Sequence, residues 1–156
     1  MSDDEINTPL PRMTKQKAEA WARHWSASMA RTAGATIVPA RTMLDARRCI
    51  GKGGELPADG RFFIDHGIQA RLPKGQHADA IRKLRAKLEE QGLHIDAYRA
   101  VDEPYTEDGL EVRSGLGATH PTDHHHVSVD SISDDLISFA VYTPCLLPPG
   151  VEQQQF

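Results

Sequence analysis

The sequence predicts an α+β domain with two N-terminal helices, then a strand–helix–strand unit followed by antiparallel strands, the helices packed on one face of a mostly antiparallel sheet. Three observations lead there. Arg61 to Leu72 (RFFIDHGIQARL) alternates apolar and polar residues, the period of a half-buried strand. Gln76 to Gln91 switches to a helical period. The C-terminal part then carries short alternating runs with no helix between them.

At 156 residues the chain fits one domain, since a domain typically holds about 100–200. Apolar residues at 39% gather in periodic segments, which excludes wholesale disorder. No stretch approaches the roughly 18 consecutive apolar residues of a membrane-spanning helix. A net charge of −4 lacks the basic footprint of a nucleic-acid binder, so the expected partner is a protein or a small molecule.

Residues 1–13, polar and with prolines at 9 and 11, read as a flexible lead-in; 14–147 form the domain and 148–156 an irregular tail. Thr14 is placed to cap a helix running to about Thr32, with Gly34 as its stop. Ala18, Trp21, Ala22, Trp25 and Met29 form its core-facing stripe. A second helix is predicted from Pro39 to Ile50, with Met43, Leu44, Ala46, Cys49 and Ile50 on its apolar side. Gly51-Lys52-Gly53-Gly54 ends it; the glycines follow a helix, the reverse of a phosphate-binding loop.

In the strand 61–72, Phe62, Ile64, His66, Ile68, Ala70 and Leu72 share a face, and Pro73 stops the run. The helix 76–91 turns His77, Ala80, Ile81, Leu84 and Leu88 inward and ends at Gly92. Leu93–Arg99 returns to a strand, making a right-handed crossover unit. Pro104–Gly109 is a turn, Leu110–Ala118 one strand, and Val127–Ile132 and Leu136–Thr143 two more around Ser133-Asp134-Asp135.

The chemistry concentrates in Thr119–His126 (THPTDHHH). His120, Asp123, His124, His125 and His126 supply imidazole and carboxylate donors that suit a divalent transition metal such as zinc or nickel. Alternation in an extended run brings His124 and His126 together and turns His125 away, so the predicted ligand set is His120, Asp123, His124 and His126, with His66 or His94 as distant additions. The first expectation is nevertheless a solvated polar hairpin with adventitious metal affinity, with no cofactor expected, and the specific metal site is the alternative to it. No serine lies in a GxSxG elbow, His66 reads as a core histidine satisfied by a hydrogen bond, and Cys49 beside Arg47 and Arg48 is a weak nucleophile candidate. No catalytic residues are assigned.

Cys49 and Cys145 are either two buried free thiols of a cytosolic protein or one disulfide. The proline-rich exit Thr143-Pro144-Cys145-Leu146-Leu147-Pro148-Pro149 favours the staple. Met1–Arg12 lacks the basic and apolar regions of a signal peptide, which fits either a cytoplasmic protein or a mature form separated from its leader.

Leu56–Phe63 (LPADGRFF), the strand–helix Gln69–Gly92 and the ending Ser138–Cys145 (SFAVYTPC) resemble small exported, lipoprotein-like proteins of high-GC actinobacteria over roughly residues 40–150. The resemblance implies an extracytoplasmic α+β domain held by one disulfide, Cys49 to Cys145, and transfers no catalytic residue. The functional expectation is an extracytoplasmic binding or accessory domain without catalytic activity, using the open sheet face and the loops 103–109 and 119–126. The alternatives are a metal-binding protein or metal-dependent enzyme built on the histidine cluster, and a cytoplasmic protein with free thiols.

Overall fold

A computed structural model describes residues 6–156. Helix α1 (Lys15–Ala33) is followed by strands β1 (Thr36–Arg48) and β2 (Phe62–Arg71), helix α2 (His77–Glu90), and strands β3 (His94–Arg99), β4 (Tyr105–Glu107), β5 (Leu110–Val112), β6 (Gly115–Thr119), β7 (His126–Ser131) and β8 (Leu136–Tyr142). Six strands form one antiparallel sheet in the order β1-β2-β8-β7-β6-β3, and β4 and β5 pair separately. The α+β class and the antiparallel sheet are as expected; the order of elements is not.

The difference is the second predicted helix. Pro39–Ile50 does not fold as a helix: β1 runs through it as an edge strand, paired with β2 from Thr42↔Ile68 to Arg48↔Phe62. Its helical spacing of apolar residues is incidental: Leu44 and Ala46 pack against the core and Cys49 is buried beyond the strand's end, while Met43 and Ile50 are exposed. The β-branched run Thr36-Ile37-Val38 begins the strand, and Pro39 sits in the irregularity between Ile37 and Thr42, where no ladder donor is needed. The predicted strand 110–118 is also divided. Asp108 and Gly109, both at positive φ, form the tight turn of the β4–β5 hairpin. Ser114 then turns inward, where its Oγ accepts from Val101 N at 2.8 Å.

The remaining elements form for the reasons the pattern gives. Thr14 Oγ1 accepts from Lys17 N, and Gly34 at φ 72 closes α1 in the left-handed conformation. Both helices cover one face of the sheet. Ala18, Ala22 and Met29 of α1, with Ile81, Leu84 and Leu88 of α2, close over Ile64, Ile68, Val127, Val129, Phe139 and Val141. β2 and β3 are the second and last strands in the sheet, so the segment carrying α2 crosses three strands (β8, β7 and β6) rather than joining neighbours.

Cys49 and Cys145 form a disulfide, Cα–Cα 6.2 Å, tying the end of β1 to the exit of β8. The predicted flexible lead-in includes residues 1–5, which lie outside the described residues. From Ile6 onward it runs beside the tail: Met13 N donates to Leu147 O, Leu10 N to Gln153 Oε1, and Phe156 N to Asn7 Oδ1. The buried Asp59–Arg61 pair joins the same region, Arg61 donating to Asp59 and to the carbonyls of Ile6 and Gln154.

Candidate functional site

The loop between β6 and β7 is shaped by its own hydrogen bonds. His120 N donates to His125 O and His124 N to His120 O, each at 2.9 Å. The amides of Thr122 and Asp123 donate to His120 Nδ1 at 3.2 and 3.0 Å, so that nitrogen carries a lone pair and the ring proton is on Nε2. His124 occupies a left-handed position at φ 60. From there the chain enters β7 with His125 in phase with Val127, Val129 and Ser131, all turned toward the helices.

His125 is therefore the inward histidine, 3% exposed. Its ring meets Trp21 edge-on with centroids 4.8 Å apart, lies 5.0 Å from Trp25, and stacks on His120 at 5.2 Å. Neither ring nitrogen has a hydrogen-bond partner among the described residues. An unsatisfied buried polar group costs about 1–3 kcal/mol, so His125 sits in the fold at a cost that its packing must offset. Burial, with repulsion from His120 adding to it whenever that ring is protonated, pushes its pKa down to about 4, so the ring is neutral at physiological pH.

One donor atom from each of His120, Asp123 and His125 lies within 4.8 Å of the others. His120 Nδ1 is 3.7 Å from Asp123 Oδ2, and the Asp123 side chain is largely exposed. Beside the cluster is a cleft of about 250 Å³ whose wall includes Met13, Trp21, Asp123, His125, Pro144 and Leu146. A wider hollow of about 380 Å³ adjoins it across Pro11 and Pro144, with His124 on its rim.

This arrangement revises the predicted ligand set. His120 and Asp123 come together as expected, but with His125 in place of His124 and His126. His124 is exposed at the turn. His126 lies on the opposite face of the sheet, its Nδ1 2.8 Å from Thr119 Oγ1 and 3.4 Å from Asp96. The expectation failed because it paired 124 with 126 by alternation, whereas the alternation starts only after the turn. In-phase Val127 and Val129 were the signal that 125 points inward. Neither distant addition joins the cluster: His94 is exposed at the edge of the sheet opposite Thr119, and His66 is buried under α1.

His66 Nδ1 donates to Met43 O at 2.9 Å, which leaves Nε2 to accept from Ser26 Oγ at 2.8 Å. His77 repeats the pattern, donating from Nε2 to Leu72 O and accepting at Nδ1 from Ser131 Oγ, both at 2.6 Å. Each has a serine–histidine hydrogen bond oriented by a backbone carbonyl, the geometry of an activated nucleophile. Each is also sealed: Ser26, His66 and His77 are at most 3% exposed and Ser131 8%. Burial lowers the His66 pKa, which keeps the ring neutral. These pairs satisfy core polar groups and meet no substrate. Cys49, in its disulfide, offers no thiolate.

A cleft of about 670 Å³ lies against β1 and Pro148–Pro149, lined by Lys15, Arg47, Arg48, the disulfide-bonded Cys49 and the buried Arg61. No family model, no curated protein and no solved structure matches the chain.

Proposed function

We propose that the chain is a non-catalytic binding domain of an oxidising, extracytoplasmic compartment, taking its ligand in the cleft beside Trp21 and His125. One observation carries the reading. The Ser26–His66 and Ser131–His77 pairs are shut inside the core, and the half-buried Thr119 hydroxyl near His126 gives its proton to Asp96 on the other face of the sheet, while the open cleft is walled by Met13, Trp21, Pro144 and Leu146 with a few polar groups at its edge. Catalysis needs a reactive group that substrate can touch; a small apolar cleft with convergent polar groups suits recognition. The compartment rests on the Cys49–Cys145 bridge, because such disulfides persist where thiols are not kept reduced. No described helix is long and apolar enough to cross a membrane.

The cleft can be tested with indole as an apolar probe, followed through the amide and indole N–H signals of the labelled protein. Saturable shifts confined to Trp21, the 122–125 amides and residues 143–146 are expected. Scattered or absent shifts would overturn the binding assignment. Thiol titration of unreduced protein from its native cells tests the compartment; no reactive thiol is expected, and two would refute it.

A further inference from the structure

We infer that His120, Asp123 and His125 form a binding site for a divalent transition metal ion of the zinc class. This goes beyond the cleft's role in recognition and does not depend on it.

The donor set is the first argument. Two imidazoles and one carboxylate are the three-ligand complement that leaves a coordination position open on zinc and related ions. Calcium and magnesium call for oxygen donors, so the nitrogen content excludes them as the preferred guest.

The second argument is independent of the cluster's composition. His125 is buried, yet both its nitrogens lack a partner, and one of them belongs to the group of atoms that converge with Asp123 and His120. A buried imidazole is normally hydrogen-bonded, as His66 and His77 are in this same core. The contrast within one molecule marks His125 as a donor held for something outside the chain.

The third argument is that the adjustment a metal requires falls on exposed groups. Zinc bonds of about 2.0–2.2 Å hold tetrahedral ligand atoms about 3.3–3.5 Å apart, so the present spread of 4.8 Å must close by a little over an ångström. His125 is packed against Trp21 and Trp25, whereas the Asp123 side chain is 68% exposed, so the closure falls on a carboxylate that solvent, not packing, surrounds. His120 presents Nδ1 as a lone pair, which it lends to two loop amides, and the ion replaces those amides. His124 and His126 are excluded by position, one at the turn and one across the sheet.

Titration calorimetry with zinc chloride on the full chain decides the matter. Wild type should bind one equivalent. His125→Ala should weaken binding by more than about 100-fold, beyond the 10–100-fold typical of groups outside the coordination sphere. Asp123→Asn removes the anionic ligand at an exposed position and should also weaken binding by more than about 100-fold with folding intact, so the test survives if His125→Ala fails to fold. The double variant His124→Ala/His126→Ala should bind within about twofold of wild type, because neither ring reaches the ion. Because His125 touches both tryptophans, copper(II) bound in the same place should quench tryptophan emission in that double variant as in wild type. Undetectable zinc binding by wild type would overturn the site. Equal losses in all variants, or a loss confined to the His124/His126 pair, would also overturn it and mark an adventitious histidine-rich loop.

Discussion

Apart from His125 and two nitrogens of Arg113, the buried polar side chains of the described residues are committed to partners, and Asp59 shows how. Its carboxylate receives Arg61 Nε and Nη2, the Arg61 amide and the Gln154 amide, with both side chains of the pair essentially inaccessible. Burial alone would raise its pKa; the hydrogen bonds from Arg61 and the amides of Gln154 and Arg61 outweigh it and hold the carboxyl below the usual aspartate value. The folded pKa is therefore depressed relative to the unfolded chain. Its contribution is full above the unfolded value near 4 and is lost as pH falls through the folded one. Asp59→Asn should lose about 3 kcal/mol at pH 7, since it strands a buried guanidinium, and should show a shallower decline between pH 5 and 3 than wild type. Urea unfolding across that range is the measurement; parallel wild-type and variant curves would refute the assignment. Ser26→Ala should cost about 1–3 kcal/mol by leaving His66 Nε2 without a donor, read in the same unfolding experiment at pH 7. Little of this was visible in sequence. His66 could be placed on a buried face by alternation, but its partners Ser26 and Met43 come from α1 and β1, which only the tertiary fold brings near.

Whole elements were legible where one strong period ran along a segment with two distinct faces. In α2 the predicted stripe His77, Ala80, Ile81, Leu84 and Leu88 is buried, with Ala78 beside it, and in β2 every second residue from Phe62 to Ala70 is buried. β1 was misread because an edge strand packs weakly: two partly buried residues, Leu44 and Ala46, cannot outvote a chance helical spacing, and its pairing with β2 is invisible locally. The loop 120–125 failed for a related reason, since a single left-handed residue at His124 resets the phase of the strand after it. Such positions carry measurable free energy. Gly34 ends α1 at φ 72, and a methyl group there would meet nothing within 4 Å, so any penalty is purely conformational. Gly34→Ala should lose about 1–2 kcal/mol in thermal or urea unfolding, and Gly34→Asn less. An alanine variant as stable as wild type would mean that the cap does not set the end of the helix.

At the scale of the whole molecule, the segment from residue 6, the C-terminal tail and the edge of the sheet are drawn into one clasp. Pro11–Met13 lie along Leu147, Leu146 pairs with Phe62, and the Cys49–Cys145 bridge fastens the end of β1 to the segment leaving β8. The bridge spans a sequence separation of 96, so its removal chiefly enlarges the unfolded ensemble. Loop-closure entropy puts that at up to about 4–5 kcal/mol, and measured losses for native bridges run about 2–5. The hydrogen bonds between Phe62 and Leu146 remain when the sulfurs part, which keeps Cys145 near Cys49 in the folded state. Cys49→Ala/Cys145→Ala should therefore keep its near-ultraviolet circular dichroism while its urea midpoint drops by the equivalent of about 2–5 kcal/mol. Oxidised wild type treated with reductant should move to the same midpoint. If the double variant loses its tertiary spectrum, the bridge holds native geometry rather than restricting the unfolded chain. If stability falls by less than about 0.5 kcal/mol, within the range of ordinary surface changes, the terminal clasp alone holds the fold closed and the argument from disulfide to compartment loses its energetic basis.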